Sequence, residues 1–200
     1  ALLRRLIKQA GHTEFGTDHH FPSLNSHADF VQAVPIRDYE ELKPYIEKIK
    51  NGGTDILWKG QPQYFAKTSG TTSGAKYIPI TRDSMPDHIA GARNALMCYI
   101  AETGRAAFVD GQMIFLSGSP ELEKTNGILS GRLSGIVNHH IPAYLRGNQL
   151  PSYATNCIED WERKLDAIVK ETLHRNMTLI SGIPPWMQMY FDRLSEVSHK

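Results

Sequence analysis

Two cysteines in 200 residues are too few for a disulfide framework, and no Cys-x-x-Cys pair is present. Cys98 and Cys157 fall in segments that read as helical, so they are expected as buried, reduced thiols, which points to a cytoplasmic protein. Long apolar runs are missing too. Stretches such as Met113-Ile114-Phe115-Leu116 fall far short of the roughly 20 residues needed to cross a bilayer, so no membrane partner is expected. The basic, partly apolar start from Ala1 to Lys8 is too short and interrupted for a signal peptide and reads as an amphipathic helix. Neither sign of charge dominates: 22 Lys and Arg stand against 21 Asp and Glu, and no basic run interleaves with aromatics, which argues against a nucleic-acid partner. What is left, at 40% hydrophobic residues, suffices for one substantial core or a large piece of a bigger one.

The region from Gly11 to Pro35 holds four of the nine histidines with Gly16, Pro22 and several Asn, Asp and Ser residues, and reads as a connector. Asp38 with Glu41 three residues later is a capping-box signature, and Leu42, Tyr45, Ile46 and Ile49 recur at helical spacing up to Asn51-Gly52-Gly53. Pro44 is expected to interrupt that helix, because a proline removes a backbone donor. Tyr64-Phe65-Ala66 and Tyr77-Ile78-Pro79-Ile80-Thr81 read as strands flanking a polar loop, and Thr81 to Glu102 as a long helix. Gln112 to Leu116 is a strand candidate, followed to Asn148 by glycine- and serine-rich chain suited either to lining a site or to plain loop. Cys157 to His174 reads as one amphipathic helix, with Leu165, Ile168 and Val169 on its apolar side and Lys164 on its polar side. With Met177 to Ser181 and a helix from Trp186, the order helix, strand, helix predicts a layered α/β fold with a mixed, partly parallel sheet.

Seven of the nine residues from Thr68 to Lys76 are Ser, Thr or Gly, and the run closes on a lysine. Glycines let the backbone fold so that its N–H groups converge on one anion, hydroxyls add donors, and the lysine supplies charge, a combination suited to a polyphosphate. The run is not a Walker A loop, which needs four residues between its glycines and Gly-Lys-Ser/Thr at its end; Gly70 and Gly74 enclose three residues, and Tyr77 follows Lys76. A polar turn joining two strands of a hairpin has the same composition.

The order of residues weighs towards the polyphosphate reading. The run Phe65-Ala66-Lys67-Thr68-Ser69-Gly70-Thr71-Thr72-Ser73-Gly74-Ala75-Lys76 resembles the first ATP-binding motif of the auxin-responsive acyl-acid amido synthetase family, a branch of the acyl-adenylate-forming, luciferase-like superfamily. Thr13-Glu14-Phe15-Gly16, Val34 to Glu40 and Ile56-Leu57-Trp58-Lys59-Gly60 resemble the family's approach to that motif, its bacterial members in particular. The resemblance implies a ligase that uses ATP and Mg2+ to activate a carboxylic acid as an acyl-adenylate and then passes the acyl group to an amino acid. It implies that Thr68, Ser69, Gly70, Thr71, Thr72, Ser73 and Gly74 hold the phosphates, that Lys76 is the catalytic cation, and that the enzyme is a monomer. It also implies that residues 1–200 are the N-terminal part of the large domain, with the adenine and magnesium sites and the small C-terminal domain lying beyond Lys200. An acyl-CoA ligase shares the first half of this chemistry, and a nucleotide-binding module without catalysis would share only the loop.

Weaker constellations surround this loop. Arg93, on the side of its helix that carries Ile89, Leu96 and Met97, is a candidate for binding the acid's carboxylate, against the alternative of a snorkelling surface arginine. Ser117, after a strand, is a candidate for framing the acyl pocket; Phe115 two residues before it excludes a Gly-x-Ser-x-Gly hydrolase elbow. The pairs His19-His20 and His139-His140 lack metal-ligand spacing, so no metal site is expected there. The stripe Trp186, Met187, Met189, Tyr190 and Phe191 reads as core or contact surface.

Overall fold

The computed structural model describes residues 1–68, 74–141 and 146–198. Helices α1 (Leu2–Ala10), α2 (Glu14–Asp18), α3 (His27–Ala33) and α4 (Tyr39–Lys50) precede strands β1 (Tyr64–Thr68) and β2 (Lys76–Ile80). The long α5 (Met85–Thr103) leads to β3 (Gln112–Phe115), β4 (Glu123–Thr125), β5 (Ile128–Gly131) and α6 (Leu133–Asn138). After β6 (Gln149–Leu150) come α7 (Tyr153–Asn156), α8 (Trp161–Thr172), β7 (Met177–Ser181) and α9 (Pro184–Ser198). The chain forms two units, Ala1–Met85 with Glu123–Gly131, and Pro86–Leu122 with Arg132–Lys200.

In the first unit, side-chain caps start the helices. Thr13 accepts the Gly16 amide, Ser26 and Asp29 form one capping box, and Asp38 and Glu41 form another, satisfying donors that an open helix end leaves bare. The expected connector from Gly11 to Pro35 therefore contains two short helices. They are too short for periodicity to reveal, and α2 is held from outside: the amides of Glu14 and Phe15 donate to the carbonyls of Asp55 and Ile56. Helix α4 runs unbroken through Pro44, contrary to expectation. A proline deletes a single intrahelical bond, and burial of Ile46 and Ile49 against Phe65 and Ile128 holds the remaining turns in place. The sheet has the order β2-β1-β5-β4, with β1 antiparallel to β2 and parallel to β5.

The second unit is built on a parallel sheet, β6-β3-β7. Ile114 of the central strand packs with Leu116, Leu165, Ile168, Val169 and Tyr190, the apolar stripe of α8 and the inner side of α9 closing over it. Tyr190 thus belongs to the core, while Phe191 beside it is exposed. The helix expected from Cys157 to His174 is shorter than expected: Cys157 is the C-cap of the preceding α7, and α8 starts only at Trp161, where Asp160 accepts the Arg163 amide. Lys164, expected on the polar side of α8, is 3% exposed. Cys98 is exposed rather than buried, because α5 presents that side to solvent, and Cys157 is half-buried at the cap. No helix among the described residues is long and apolar enough to cross a membrane.

Candidate phosphate-binding site

Strands β1 and β2 are a hairpin in strict register from Tyr64↔Ile80 to Thr68↔Lys76. The last pair sets Thr68 directly opposite Lys76, so the first and final members of the Ser/Thr/Gly run meet at the hairpin's mouth. Gly74 has φ +81, a left-handed conformation that disfavours any side chain. Ser69, Gly70, Thr71, Thr72 and Ser73 lie outside the described residues.

The mouth is basic, and its lysines differ in what they are committed to. Lys50 is bound to Glu47 at 2.8 Å, which raises its pKa above the usual lysine value, and it lies 4.5 Å from the Tyr77 ring. Lys67 is bound to Glu123. Lys76, half-buried, has no carboxylate partner among the described residues. Its ammonium instead sits 5.3 Å from the centre of the Tyr39 ring, at the first position of α4. The Tyr39 hydroxyl in turn accepts the Tyr77 amide at 2.8 Å, filling a donor on the outer edge of β2. The Asp38 cap, by starting α4 where it does, thereby positions the aromatic platform under Lys76. A cation steered by a ring rather than neutralised by a carboxylate keeps its charge available to an anion. Sequence reasoning missed Tyr39, since no local spacing links it to the loop.

The other sequence-derived candidates lie in the second unit. Arg93 is exposed on α5, not half-buried, and forms no ion pair among the described residues. Ser117 is half-buried after β3; its hydroxyl makes only a long 3.3 Å bond to the Gly118 carbonyl, whereas its own carbonyl accepts from Lys164 at 3.0 Å. Lys164 also donates to the Asn156 carbonyl at 2.7 Å, and burial pushes its ammonium below the ordinary lysine value. One histidine of each pair is engaged in the scaffold: His19 lies between the Phe15 carbonyl and Arg37, and the His139 ring nitrogen donates to the Pro120 carbonyl at 2.7 Å. Among the described residues no group of three or more His, Cys, Asp or Glu could hold a metal. A polar cavity of about 320 Å3 beside the end of β6 is lined by His139, Gln149, Ser152, Tyr153 and Asn156 among others.

The GH3 family N-terminal domain matches residues 1–152, three-quarters of the chain and the whole of the hairpin. The chain belongs to the GH3 family. Among its GH3 relatives, the probable indole-3-acetic acid-amido synthetase GH3.13 of Oryza sativa subsp. japonica is 40% identical over 60 residues, 29% of this chain and 13% of that protein. Jasmonoyl–L-amino acid synthetase JAR4 of Nicotiana attenuata is 23% identical over 132 residues, 64% of this chain and 22% of that protein. The solved structure of GH3.15 acyl acid amido synthetase superposes with a TM-score of 0.75 at 17% identity over 97% of this chain, and so shares its fold. The same enzyme in complex with 2,4-DB gives 0.74 at 18% identity. This GH3 chain spans 34% of the length of those solved structures.

Proposed function

We propose that the chain is the N-terminal, phosphate-gripping portion of the large domain of an ATP-dependent acid–amino acid ligase. One observation carries this: Lys76 closes a Ser/Thr/Gly run at the mouth of a hairpin, opposite Thr68, with its charge held over Tyr39 and unclaimed by any described carboxylate. Thr68 and the loop through Gly74 hold the β- and γ-phosphates of ATP by hydroxyls and backbone amides, and Lys76 offsets the charge that builds on them. The residue types of the run suit a Mg2+-bound polyphosphate, since hydroxyls and amides donate, Lys76 supplies one cation, and Glu47 and Glu123 nearby are paired with Lys50 and Lys67. The substrate carboxylate attacks the α-phosphorus, the bond to the β-phosphate oxygen breaks, and pyrophosphate leaves. The amine of an amino acid then attacks the acyl carbon, loses a proton, and AMP departs. Arg93 and Ser117 belong to the acid-binding side of the enzyme. The adenine- and magnesium-binding residues come from the part of the relatives' length that this chain does not span. The enzyme works as a cytoplasmic monomer on small molecules.

The test is acid-dependent pyrophosphate release from ATP by the full-length protein, over a panel of aromatic and aliphatic carboxylic acids, followed by acceptor assays with amino acids and with coenzyme A. Lys76→Ala is expected to lower release by about 10²–10³-fold, as the loss of one preorganised charge donor does. A folded, ATP-binding protein that releases no pyrophosphate with any acid would refute the ligase assignment.

A further inference from the structure

Lys164 is the least expected residue of the second unit. Its ammonium is buried, yet no carboxylate among the described residues pairs with it; it is spent on two main-chain carbonyls, Ser117 at 3.0 Å and Asn156 at 2.7 Å. Burying a charge without a counter-charge is costly, and folded proteins retain such groups where geometry depends on them. Here the geometry is that of the short segment Ser117-Gly118-Ser119-Pro120, which leaves the carboxyl end of β3, the middle strand of a parallel sheet. Ligands of open α/β sheets bind beyond the carboxyl ends of the strands.

The segment is gripped at each residue. Lys164 takes the Ser117 carbonyl, and the His139 ring takes the Pro120 carbonyl at 2.7 Å. At Gly118 an added Cβ would meet the Arg132 side chain at 2.4 Å, and a Cβ at Gly135 of α6 would meet the Ser119 carbonyl oxygen at 2.5 Å. All of these contacts address backbone. Among the described residues the Ser117 side chain contributes only its long bond to Gly118.

We propose that Lys164 is a positioning residue for the acid substrate: its buried ammonium fixes the main chain of residues 117–120, and that backbone, not the Ser117 hydroxyl, shapes the acid pocket. This rests on the ligase assignment and refines the role given to Ser117.

Acid-dependent pyrophosphate release by the full-length protein tests it, with the KM for acid and the KM for ATP measured separately. Lys164→Met, which keeps the stem and removes the ammonium, is expected to raise the acid KM on the order of tenfold or more and leave the ATP KM within about twofold, since a small displacement of a positioning wall is enough. Lys164→Arg, which keeps a charged donor for both carbonyls, is expected to recover most of that loss. Should Lys164→Met fail to fold, Gly135→Ala pushes a Cβ against the Ser119 carbonyl of the same segment and is expected to show the same acid-selective rise. A folded Lys164→Met, or failing that Gly135→Ala, with an unchanged acid KM, or with acid and ATP KM raised alike, overturns the proposal while the ligase assignment stands. A wild type silent toward every acid overturns both.

Discussion

Tyr39 offers the sharpest test of how the loop's lysine is held. It makes two separable contacts: its ring lies 5.3 Å from the Lys76 ammonium, and its hydroxyl accepts the Tyr77 amide at 2.8 Å. Tyr39→Phe removes the second and keeps the first. A net hydrogen bond is worth about 0.5–1.5 kcal/mol, and an edge-strand amide left bare can turn to water, so a stability loss of about 1 kcal/mol or less is expected, with the KM for ATP unchanged. Tyr39→Leu removes both contacts but keeps apolar bulk. A cation–π contact at a partly exposed site is worth about 0.5–1 kcal/mol, which at about 1.4 kcal/mol per factor of ten is roughly a two- to fivefold rise in the KM for ATP. Pyrophosphate release at varied ATP, with thermal unfolding of each variant, reads the two effects apart. Equal ATP KM values for the Phe and Leu variants would show that the ring does not hold Lys76.

The remaining predictions concern the scaffold. Glu171 accepts from the Ser152 amide and hydroxyl, each at 2.7 Å, and from the Thr155 hydroxyl at 2.6 Å. Burial pushes its carboxyl up, but these bonds outweigh burial and hold it below the ordinary glutamate value. Because the folded value is the lower one, the stabilisation is whole above the ordinary glutamate range and is lost as pH falls through the depressed value. Glu171→Ala should cost about 1–3 kcal/mol in urea denaturation at neutral pH, and the cost should shrink on acidification; a penalty constant down to about pH 3 contradicts the charged clamp. Gly16→Ala would set a Cβ 2.0 Å from the Ala10 carbonyl oxygen and should destabilise by about 2 kcal/mol or more, whereas Gly91→Ala, in open space on α5, should stabilise by about 0.5–1 kcal/mol. Thermal melts that move both variants in the same direction would refute that contrast.

How much of this was readable beforehand depends on the range of the forces involved. The capping box of Asp38 and Glu41, the two strands flanking the loop and the long helix after it are written in neighbouring residues, and the sequence alone predicts them; the antiparallel pairing of those strands is predicted only under the alternative of a plain hairpin turn. Helices α2 and α3 are not so predicted: α2 depends on carbonyls at Asp55 and Ile56, and α3, although its Ser26 and Asp29 capping box is local, is too short for apolar spacing to show. The late start of α8 did have a local signal, the Asp160 cap, overlooked because apolar spacing runs straight across it from Ile158. Lys164 misleads any helical-wheel argument, which turns charge outward and has no knowledge of the two carbonyls waiting inside. At the site the Ser/Thr/Gly run and its closing lysine are legible in the sequence, but the ring beneath Lys76 comes from a helix distant in sequence, and only folding brings it there.

The first unit takes β4 and β5 from a stretch of chain that begins well after Met85, so its sheet cannot close when its own first 85 residues have been made. Until Gly131 leaves the ribosome, β1 has β2 on one side and an open edge on the other, with the Phe65 cluster short of Ile128. Nascent chains halted near residue 85 should therefore be sticky and easily digested, and those that have passed residue 131 should acquire protease resistance in one step. The same interleaving dictates where the gene can be cut: an excised hairpin unit must carry β5 with it, by way of a rejoined or permuted chain.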